Sequence, residues 1–203
     1  MRDLADRQTV DLAKANRLVN HGPTVLVSSA HGGRRNVMAA AWSMPVEFTP
    51  PRIAVVIDKS TWTRELVIDS GRFALNLPCL ACVDLAYTVG SVSGQDAGAA
   101  GTDKFTRYGI ESFDGPVLGL PLLAGCVAWL ECRLISEPHA QEAYDTFFGE
   151  VVSAQADARV FANGRWSFRD DNTELHTLHH LGAGLFAVPA RTVQAQQLPV
   201  VRA

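Results

Sequence analysis

Hydroxyl side chains are concentrated in the segment DKSTWTRELV, where a helical pattern begins. Ser60, Thr61 and Thr63 fall at the start of that pattern, with Lys59 and Arg64 beside them. The first turn of a helix exposes unpaired backbone N–H groups and carries a partial positive charge, so it binds anions readily. The neighbouring hydroxyls and cations would add donors. The segment therefore predicts a phosphate site.

A run of small residues, NVMAAAW, precedes these hydroxyls. It begins at Asn36, continues through Ala39, Ala40 and Ala41, and ends at Trp42. Three alanines fill little space, which indicates that a flat molecule or another chain approaches this strand closely. Trp42 fits either proximity to such a molecule or a place in the core or a dimer interface. A planar group beside the strand and a phosphate at the helix start together predict a nucleotide-like cofactor.

A long glycine-rich loop, GSVSGQDAGAAGTDKF, begins at Gly90. Compact domains seldom carry structureless connections of this length, so a functional role is favoured over a spacer. Lys104 lies near the end of the loop. Its ammonium group could reach a phosphate or a carboxylate, and the alternative is a solvated surface lysine.

Length and charge narrow the class of protein. A chain of 203 residues suits one domain, residues 1–203, with a substantial core. The formal net charge is -3 without a block of Lys or Arg, which argues against nucleic-acid binding. The apolar runs are shorter than the roughly 18 to 20 residues of a membrane span. The N-terminus, MRDLADRQTV, lacks the apolar stretch of a signal peptide, so we expect a cytoplasmic protein.

Two groups of possible redox or metal ligands have simpler explanations. Cys79 and Cys82 form a CLAC motif, but neither a second such motif nor a thioredoxin-like context accompanies them, so buried thiols are expected. The histidines of ELHTLHHLG match no closed zinc pattern. No metal site is therefore predicted.

Strand patterns outnumber helical ones. The Gly32-Gly33 pair predicts a hairpin between two strands, and the Asn163-Gly164 turn predicts a shorter one. The predicted strands are residues 24–29, 36–42, 53–57, 72–77, 127–135 and 147–154, and the predicted helices are residues 10–20, 63–70 and 80–89. Hairpin spacing of this kind favours an antiparallel β-barrel over a parallel α/β sheet.

Taken in order, several segments resemble the flavin reductase-like, FMN-binding split-barrel family, especially its flavoredoxin-like branch. The resemblance covers residues 22–188. The matching segments are NVMAAAW, FTPPRIAVVI, KSTWTRELV, FALNLP, the Ser93-Gly94 pair, DKF at 103–105, AWLECRL, FFGEVV and LHHLG.

This resemblance implies a mainly β fold, an antiparallel Greek-key split β-barrel with a few flanking helices. It also implies a homodimer with FMN near the subunit interface, the ring beside residues 36–42 and the phosphate at residues 60–63. Asn76 and Leu77 would line the flavin site, and Asn76 could instead cap the corner before Pro78. Ser93, Lys104 and Phe105 would close the site. His180 would approach from the tail, unless its hydrogen bonds are purely structural.

The implied activity is hydride transfer from NAD(P)H, bound transiently, to flavin, which asks mainly for stacking and orientation. Reduced flavin or electrons would pass to a partner such as an oxygenase or an electron-acceptor protein. Two departures from the family pattern weaken nicotinamide oxidation. The segment TFFGE at 146–150 lacks the histidine of a Gly-Asp-His run, and Leu185 replaces an arginine common in relatives. An FMN-binding electron carrier without nicotinamide oxidation is the alternative.

Overall fold

The computed structural model describes residues 22–95 and 102–196. The predicted helix at 10–20 and the middle of the glycine-rich loop lie outside the described residues. No helix among the described residues is long and apolar enough to cross a membrane.

The described residues form many short strands and few helices. The strands, in chain order, are β1 (Val25–His31), β2 (Arg34–Ala40), β3 (Ser43–Phe48), β4 (Pro51–Val56), β5 (Arg72–Leu77), β6 (Ser112–Asp114), β7 (Pro121–Leu123), β8 (Ala128–Ile135), β9 (Thr146–Ala156), β10 (Phe161–Ala162), β11 (Arg165–Trp166), β12 (His179–Gly182) and β13 (Leu185–Ala187). The helices are α1 (Trp62–Ser70), α2 (Val83–Ser91), α3 (Lys104–Arg107) and α4 (Pro138–Tyr144), with 3-10 turns at Leu80–Cys82 and Asp170–Leu175.

One seven-stranded antiparallel sheet dominates the fold. Its strand order is β2-β1-β5-β8-β9-β4-β3, so β2 and β3 are the two edges. Two-stranded ribbons, β6–β7, β10–β11 and β12–β13, surround it. The predicted fold class, mainly β and antiparallel with a few flanking helices, is confirmed.

Alternation along the strands divides the core between the two faces of the sheet. In β1, Val25 and Val27 point into one apolar cluster with Val55 and Phe73. Leu26, between them, joins a second cluster under α2. Successive strand residues face opposite sides, so one continuous apolar strand serves both clusters.

Helices α1 and α2 flank the edge strand β2. Thr61 is the N-cap of α1, and Gly71 ends the helix in the left-handed region at φ 65°. In this conformation the Gly71 N–H donates to the carbonyl of Val67 at 2.9 Å. Helix α2 packs on β2 through the second cluster. The starts and ends of these helices therefore lie beside the predicted site strand.

Candidate functional site

A groove runs along β2 between α1, α2 and the β12–β13 ribbon. It consists of two cavities that share Ala39, Gly90 and Ser91 in their walls. The first, which we call the alanine cavity, has a volume of about 300 Å³ and is lined by Thr24, Ala39, Ala40, Ala41, Ala86, Tyr87, Gly90, Ser91, His180, Ala183, Gly184 and Phe186. The second, the hydroxyl cavity, has a volume of about 230 Å³ and is lined by Asn36, Met38, Ala39, Ser60, Thr61, Trp62, Thr63, Val89, Gly90, Ser91, Val92, Ser93, Gly94 and Lys104.

Small residues let helix and strand approach closely where the two cavities meet. A Cβ atom placed on Gly90 would lie 2.9 Å from the Cβ of Ala39, closer than real Cβ atoms pack. Any larger residue at either position would separate α2 from β2 or fill the groove. The close neighbour of the alanine run in the structure is α2 of the same chain, and the approach of a flat molecule or another chain stays a prediction.

Backbone groups of β2 also face the groove. As an edge strand, β2 pairs only with β1 within the sheet. The carbonyl of Val37 accepts from the Nζ of Lys104, so it points away from β1. In an antiparallel ladder the direction of these groups repeats every second residue, so the N–H and C=O groups of Ala39 point to the same outer edge, and Ala41 follows directly after the strand. This edge offers donors and acceptors to a ligand in the alanine cavity.

The start of α1 is held by a tight turn around Asp58. Its carboxylate accepts from both the hydroxyl and the backbone N–H of Ser60, at 2.6 and 2.8 Å. These bonds, the side-chain one foremost, hold the pKa of Asp58 below its usual range. The Thr61 hydroxyl donates to the Asp58 carbonyl at 2.7 Å. The turn fixes the first turn of α1, with its orphan N–H groups, in the wall of the hydroxyl cavity.

Asn36 and Thr63 form a buried polar pair in the hydroxyl cavity. The Asn36 Nδ2 donates to the Thr63 hydroxyl at 3.0 Å, and Thr63 is fully buried. Since Thr63 accepts this bond, its own proton remains available to a ligand. The Asn36 Oδ1 is buried and has no hydrogen-bond partner among the described residues. Gly94 lies against this amide, because a Cβ there would come within 2.6 Å of it.

Lys104 is buried rather than solvated, being only 2% exposed. Its ammonium group donates to the carbonyls of Val37 and Val89 at 2.9 and 2.8 Å, and so ties β2 to α2. Burial lowers the pKa of Lys104 to about 8, because desolvation disfavours the charged form. A positive charge therefore stands in the wall of the hydroxyl cavity at neutral pH, and an anion there would stabilise it.

The alanine cavity combines a small-residue floor with aromatic walls. His180 and Phe186 face each other across the β12–β13 ribbon with ring centroids 5.2 Å apart. Tyr87 of α2 forms another wall. Thr24, just before β1, contributes a buried hydroxyl without a partner among the described residues. Flat walls and isolated polar groups are what a planar heterocycle requires.

Most of the predicted site residues line one of the two cavities. They are Asn36, Ala39, Ala40, Ala41, Ser60, Thr61, Thr63, Ser93, Lys104 and His180. Trp42 follows directly on Ala41 and is about half exposed, at 48%, outside the cavity linings. The hydroxyl and alanine segments, distant in sequence, thus meet in one groove.

Three other predicted site residues lie outside the linings of this groove. Asn76 is fully buried, and its amide donates to Leu26 and Ser28 and accepts from the backbone of Leu123. All its polar atoms are therefore used inside the sheet. Leu77 lines a separate apolar groove, and Phe105 packs in the cluster under α2. Side-chain direction therefore places these three residues apart from the groove, and their contact with flavin stays a prediction.

The two cations beside the hydroxyl segment point away from it. Lys59 Nζ donates to the Glu142 carbonyl at 2.7 Å. Arg64 is 6% exposed, pairs with Asp145 at 2.7 Å and stacks over Phe147. The expectation that they add donors for a phosphate is therefore wrong. Arg64 instead anchors α1 to the segment that follows α4.

Several lining residues were not predicted from the sequence. Thr24, Tyr87 and Phe186 reach the alanine cavity from the start of β1, from α2 and from the tail. A threonine at a strand start and aromatics in apolar segments are common in any core, so the local pattern gave no signal. Among the described residues, no group of three or more His, Cys, Asp or Glu side chains could hold a metal ion.

Comparisons with known proteins agree with this architecture. The model of the Flavin reductase like domain matches residues 17–173. Uncharacterized protein YddH of Escherichia coli K12 is 57% identical over 189 residues, which are 92% of this chain and 96% of YddH.

Solved structures extend the comparison to the fold. The FMN-binding domain of a flavin reductases-like enzyme from Shewanella baltica has 43% identity and a TM-score of 0.81, covering 93% of this chain and 97% of its own. Flavoredoxin of Desulfovibrio vulgaris shares the fold, with 21% identity, a TM-score of 0.72, and coverage of 96% and 97%. The chain belongs to the flavin reductase-like domain family.

Proposed function

We propose that the protein binds FMN in the groove along β2. The observation that carries this proposal is that two adjacent cavities share Ala39, Gly90 and Ser91 in their walls, with a helix start in the wall of one and the small-residue strand in the wall of the other. Each cavity also contains one buried polar atom without a protein partner, the Asn36 Oδ1 and the Thr24 hydroxyl. A ligand with polar atoms at both ends would satisfy them.

Each end of the groove has a distinct task in this proposal. At the hydroxyl cavity, the Thr63 and Ser93 hydroxyls and the free N–H groups at the start of α1 would hold the phosphate. Ser60 and Thr61, whose hydroxyl protons are donated to Asp58, would shape the turn that presents these donors. The positive charge of Lys104 would attract the negative phosphate. At the alanine cavity, the outer edge of β2 would contact the ring, with Trp42 at its end and His180 across from it. The bound FMN would supply the hydride chemistry, while the protein orients the reactants and excludes water.

We further propose that the protein is an oxidoreductase that transfers hydride from NAD(P)H to flavin and passes reduced flavin or electrons to a partner, such as an oxygenase or an electron-acceptor protein. Family membership supports this activity, and so does the Shewanella baltica relative, described as a flavin reductases-like enzyme. Neither an acid nor a base is required for hydride transfer, and the described residues that line the two cavities include no Asp or Glu side chain.

A second candidate is an FMN-binding electron carrier without nicotinamide oxidation. It is favoured by the segment at 146–150, which lies in β9. There Phe147 is fully buried, and a Cβ on Gly149 would meet the ring of Phe73 at 2.6 Å. This segment is packed as core and presents no histidine to a nicotinamide. The two candidates differ only in whether NAD(P)H reduces the bound flavin.

We also propose a cytoplasmic homodimer built from a single domain. The edge strand β3 supports the dimer, since Met44, Val46 and Phe48 on it are 61%, 41% and 93% exposed. Long apolar edge strands are normally covered, because their free edge and side chains promote association. A second copy of the chain would cover them.

The test is the anaerobic reduction of the flavin-loaded protein. The purified protein is loaded with FMN, freed of excess flavin, and mixed with NADH or NADPH while its visible absorption is followed. Bleaching of the bound flavin is expected for the oxidoreductase. Flavin that stays oxidised but is reduced by dithionite would establish the carrier instead, and a protein that takes up no FMN would refute both.

A further inference from the structure

The hydroxyl of Thr24 is buried in an unusual setting. Thr24 is 3% exposed and directly precedes β1. Its backbone N–H donates to the carbonyl of Leu178 at 2.7 Å, which fixes the residue against the segment before β12. Its hydroxyl oxygen has no hydrogen-bond partner in the described part of the chain. Such a group costs about 1–3 kcal/mol when it stays unpaired.

Nothing in the packing requires a hydroxyl at this position. The residue lies on the same face of β1 as Leu26, which packs under α2 with Val37 and Leu178. Valine has nearly the same shape as threonine and would fill the site without the penalty of an unpaired hydroxyl. The polar atom is therefore explained by something outside the protein core.

Thr24 lines the alanine cavity together with Ala41 and His180, and its hydroxyl oxygen is buried at the wall. Pairing of β1 with β2 sets Val25 opposite Ala40, so Thr24 lies beside Ala41 at the end of the alanine run. The other lining residues are alanines, glycines, the rings of Tyr87, His180 and Phe186, and Ser91, whose hydroxyl donates to the Tyr87 carbonyl at 2.8 Å. A buried hydroxyl without a protein partner in a mostly apolar wall favours a ligand that carries a polar atom at that place.

We propose that Thr24 is a positioning residue that donates a hydrogen bond to an acceptor atom on the flavin ring. This inference rests on the proposed binding of FMN in the groove. The ring carries more nitrogen and carbonyl acceptors than donors, so a hydroxyl whose orientation is fixed only by the ligand donates to it. Reduction adds electron density to the ring carbonyl oxygens, whereas ring N5 gains a proton and no longer accepts, so with a carbonyl oxygen as the acceptor the bond is stronger to the reduced form. Thr24 thus favours the reduced flavin.

The test compares Thr24→Val with Thr24→Ser. The valine variant removes only the hydroxyl, whereas serine keeps it. Thr177→Val serves as the matched control, because Thr177 is similarly buried, at 5%, and lines neither cavity. Thermal unfolding of each variant without FMN verifies that it is folded. The readouts are the FMN dissociation constant, by quenching of flavin fluorescence, and the midpoint potential of the bound flavin, by spectroelectrochemistry.

We expect Thr24→Val to weaken FMN binding by about two- to tenfold, as loss of one neutral hydrogen bond does. The midpoint potential of the bound flavin becomes more negative, because the variant loses more affinity for reduced FMN than for oxidised FMN. Each tenfold difference between these two losses corresponds to about 30 mV. Thr24→Ser and Thr177→Val retain the wild-type values of both quantities.

Unchanged affinity and potential in a folded Thr24→Val variant overturn the inference while leaving FMN binding intact. An equal loss in Thr24→Ser and Thr24→Val also overturns it, since serine retains the hydroxyl and the loss would then not depend on that group. If the wild-type protein itself binds no FMN, the proposed function fails, and this inference fails with it. Neither readout depends on NAD(P)H, so the outcome is independent of the choice between reductase and carrier.

Discussion

Replacement of Thr63 by valine tests the phosphate end of the groove with little change of shape. Both side chains are β-branched and similar in volume, so the packing of the α1 start is retained. What is lost is a fully buried hydroxyl that accepts from the Asn36 amide at 3.0 Å and has a proton to give. The variant therefore removes one donor to the phosphate and one acceptor from Asn36.

Two effects of different size are expected from this change. A hydrogen bond to a charged group contributes about 1.5–3 kcal/mol, so FMN should bind roughly 10- to 100-fold more weakly. In the free protein, the Asn36 amide loses its partner, and its oxygen is already unpaired. Leaving the amide unsatisfied costs about 1–3 kcal/mol, which for a chain of this size lowers Tm by several degrees.

Riboflavin separates the phosphate contact from general damage to the site. It carries the same ring and side chain but no phosphate, so its affinity should fall far less than that of FMN in Thr63→Val. Thr63→Ser keeps the hydroxyl and should retain most of the FMN affinity. Both ligands can be titrated by flavin fluorescence. Equal FMN affinity in the wild type and Thr63→Val, or an equal loss for FMN and riboflavin, would refute the assignment of the phosphate to this cavity.

Three further predictions address the rest of the groove. Gly90→Ala places a methyl group 2.9 Å from Ala39, so both Tm and FMN affinity should fall, although alanine favours a helix. Lys59→Ala should leave FMN affinity within about twofold, since the Lys59 ammonium donates to the Glu142 carbonyl. Lys104 has a pKa of about 8 in the folded protein, whereas its ordinary value is 10.5. Between about pH 8 and pH 10.5 the Lys104 side chain is therefore protonated in the unfolded chain and deprotonated in the folded protein. In FMN-free protein the wild type should therefore gain stability relative to Lys104→Met as pH rises through this window, measured by denaturant unfolding.

Each of these three predictions would be contradicted by a specific result. An unchanged Tm in Gly90→Ala would mean that helix and strand can separate freely. A tenfold loss of FMN affinity in Lys59→Ala would return that lysine to the phosphate site. A stability difference between wild type and Lys104→Met that stays constant or shrinks from pH 8 to 10.5 would contradict burial of the charge. The stability of wild type is compared with that of Lys104→Met because the buried cysteines, whose pKa values are raised, lower the stability of both proteins as pH rises in the alkaline range. The comparison removes this shared effect.

Local turn chemistry made much of the fold predictable. Gly32 and Gly33 both adopt positive φ, at 56° and 75°, and connect β1 to β2 as expected. The Asn163-Gly164 turn, at 53° and 72°, likewise joins β10 to β11. In both cases a few adjacent residues determine the structure, because few residues other than glycine and asparagine tolerate these angles.

Elements that depend on distant partners were not predicted. Strand β3 contains Pro45, has a bulge between Pro45 and Glu47, and is exposed along most of its length, so its sequence shows no regular alternation. Helix α4 is short and has no buried face. Their positions are set by pairing with β4 and by contacts with β9, which no local pattern encodes.

The candidate site was predictable where its chemistry is local. The helix start at Ser60 and Thr63 and the alanine run each carry their signal within a few residues. The directions of the Arg64 and Asn76 side chains were not predictable from the local sequence. A salt bridge with Asp145 sets the direction of Arg64, and a hydrogen bond to the Leu26 carbonyl sets that of Asn76. Thr24 was also not predicted as a site residue, because the cavity that it lines is formed by α2 and the tail, which are distant from it in sequence.

The most direct test of the central claim is a crystal structure of the protein with FMN. We expect electron density for the phosphate at the start of α1, against Thr63 and Asn36, and for the ring beside Ala39 and Ala41, with the Thr24 hydroxyl within hydrogen-bond distance of the ring. Density for FMN elsewhere on the protein, or a groove that stays empty at saturating FMN, would contradict it.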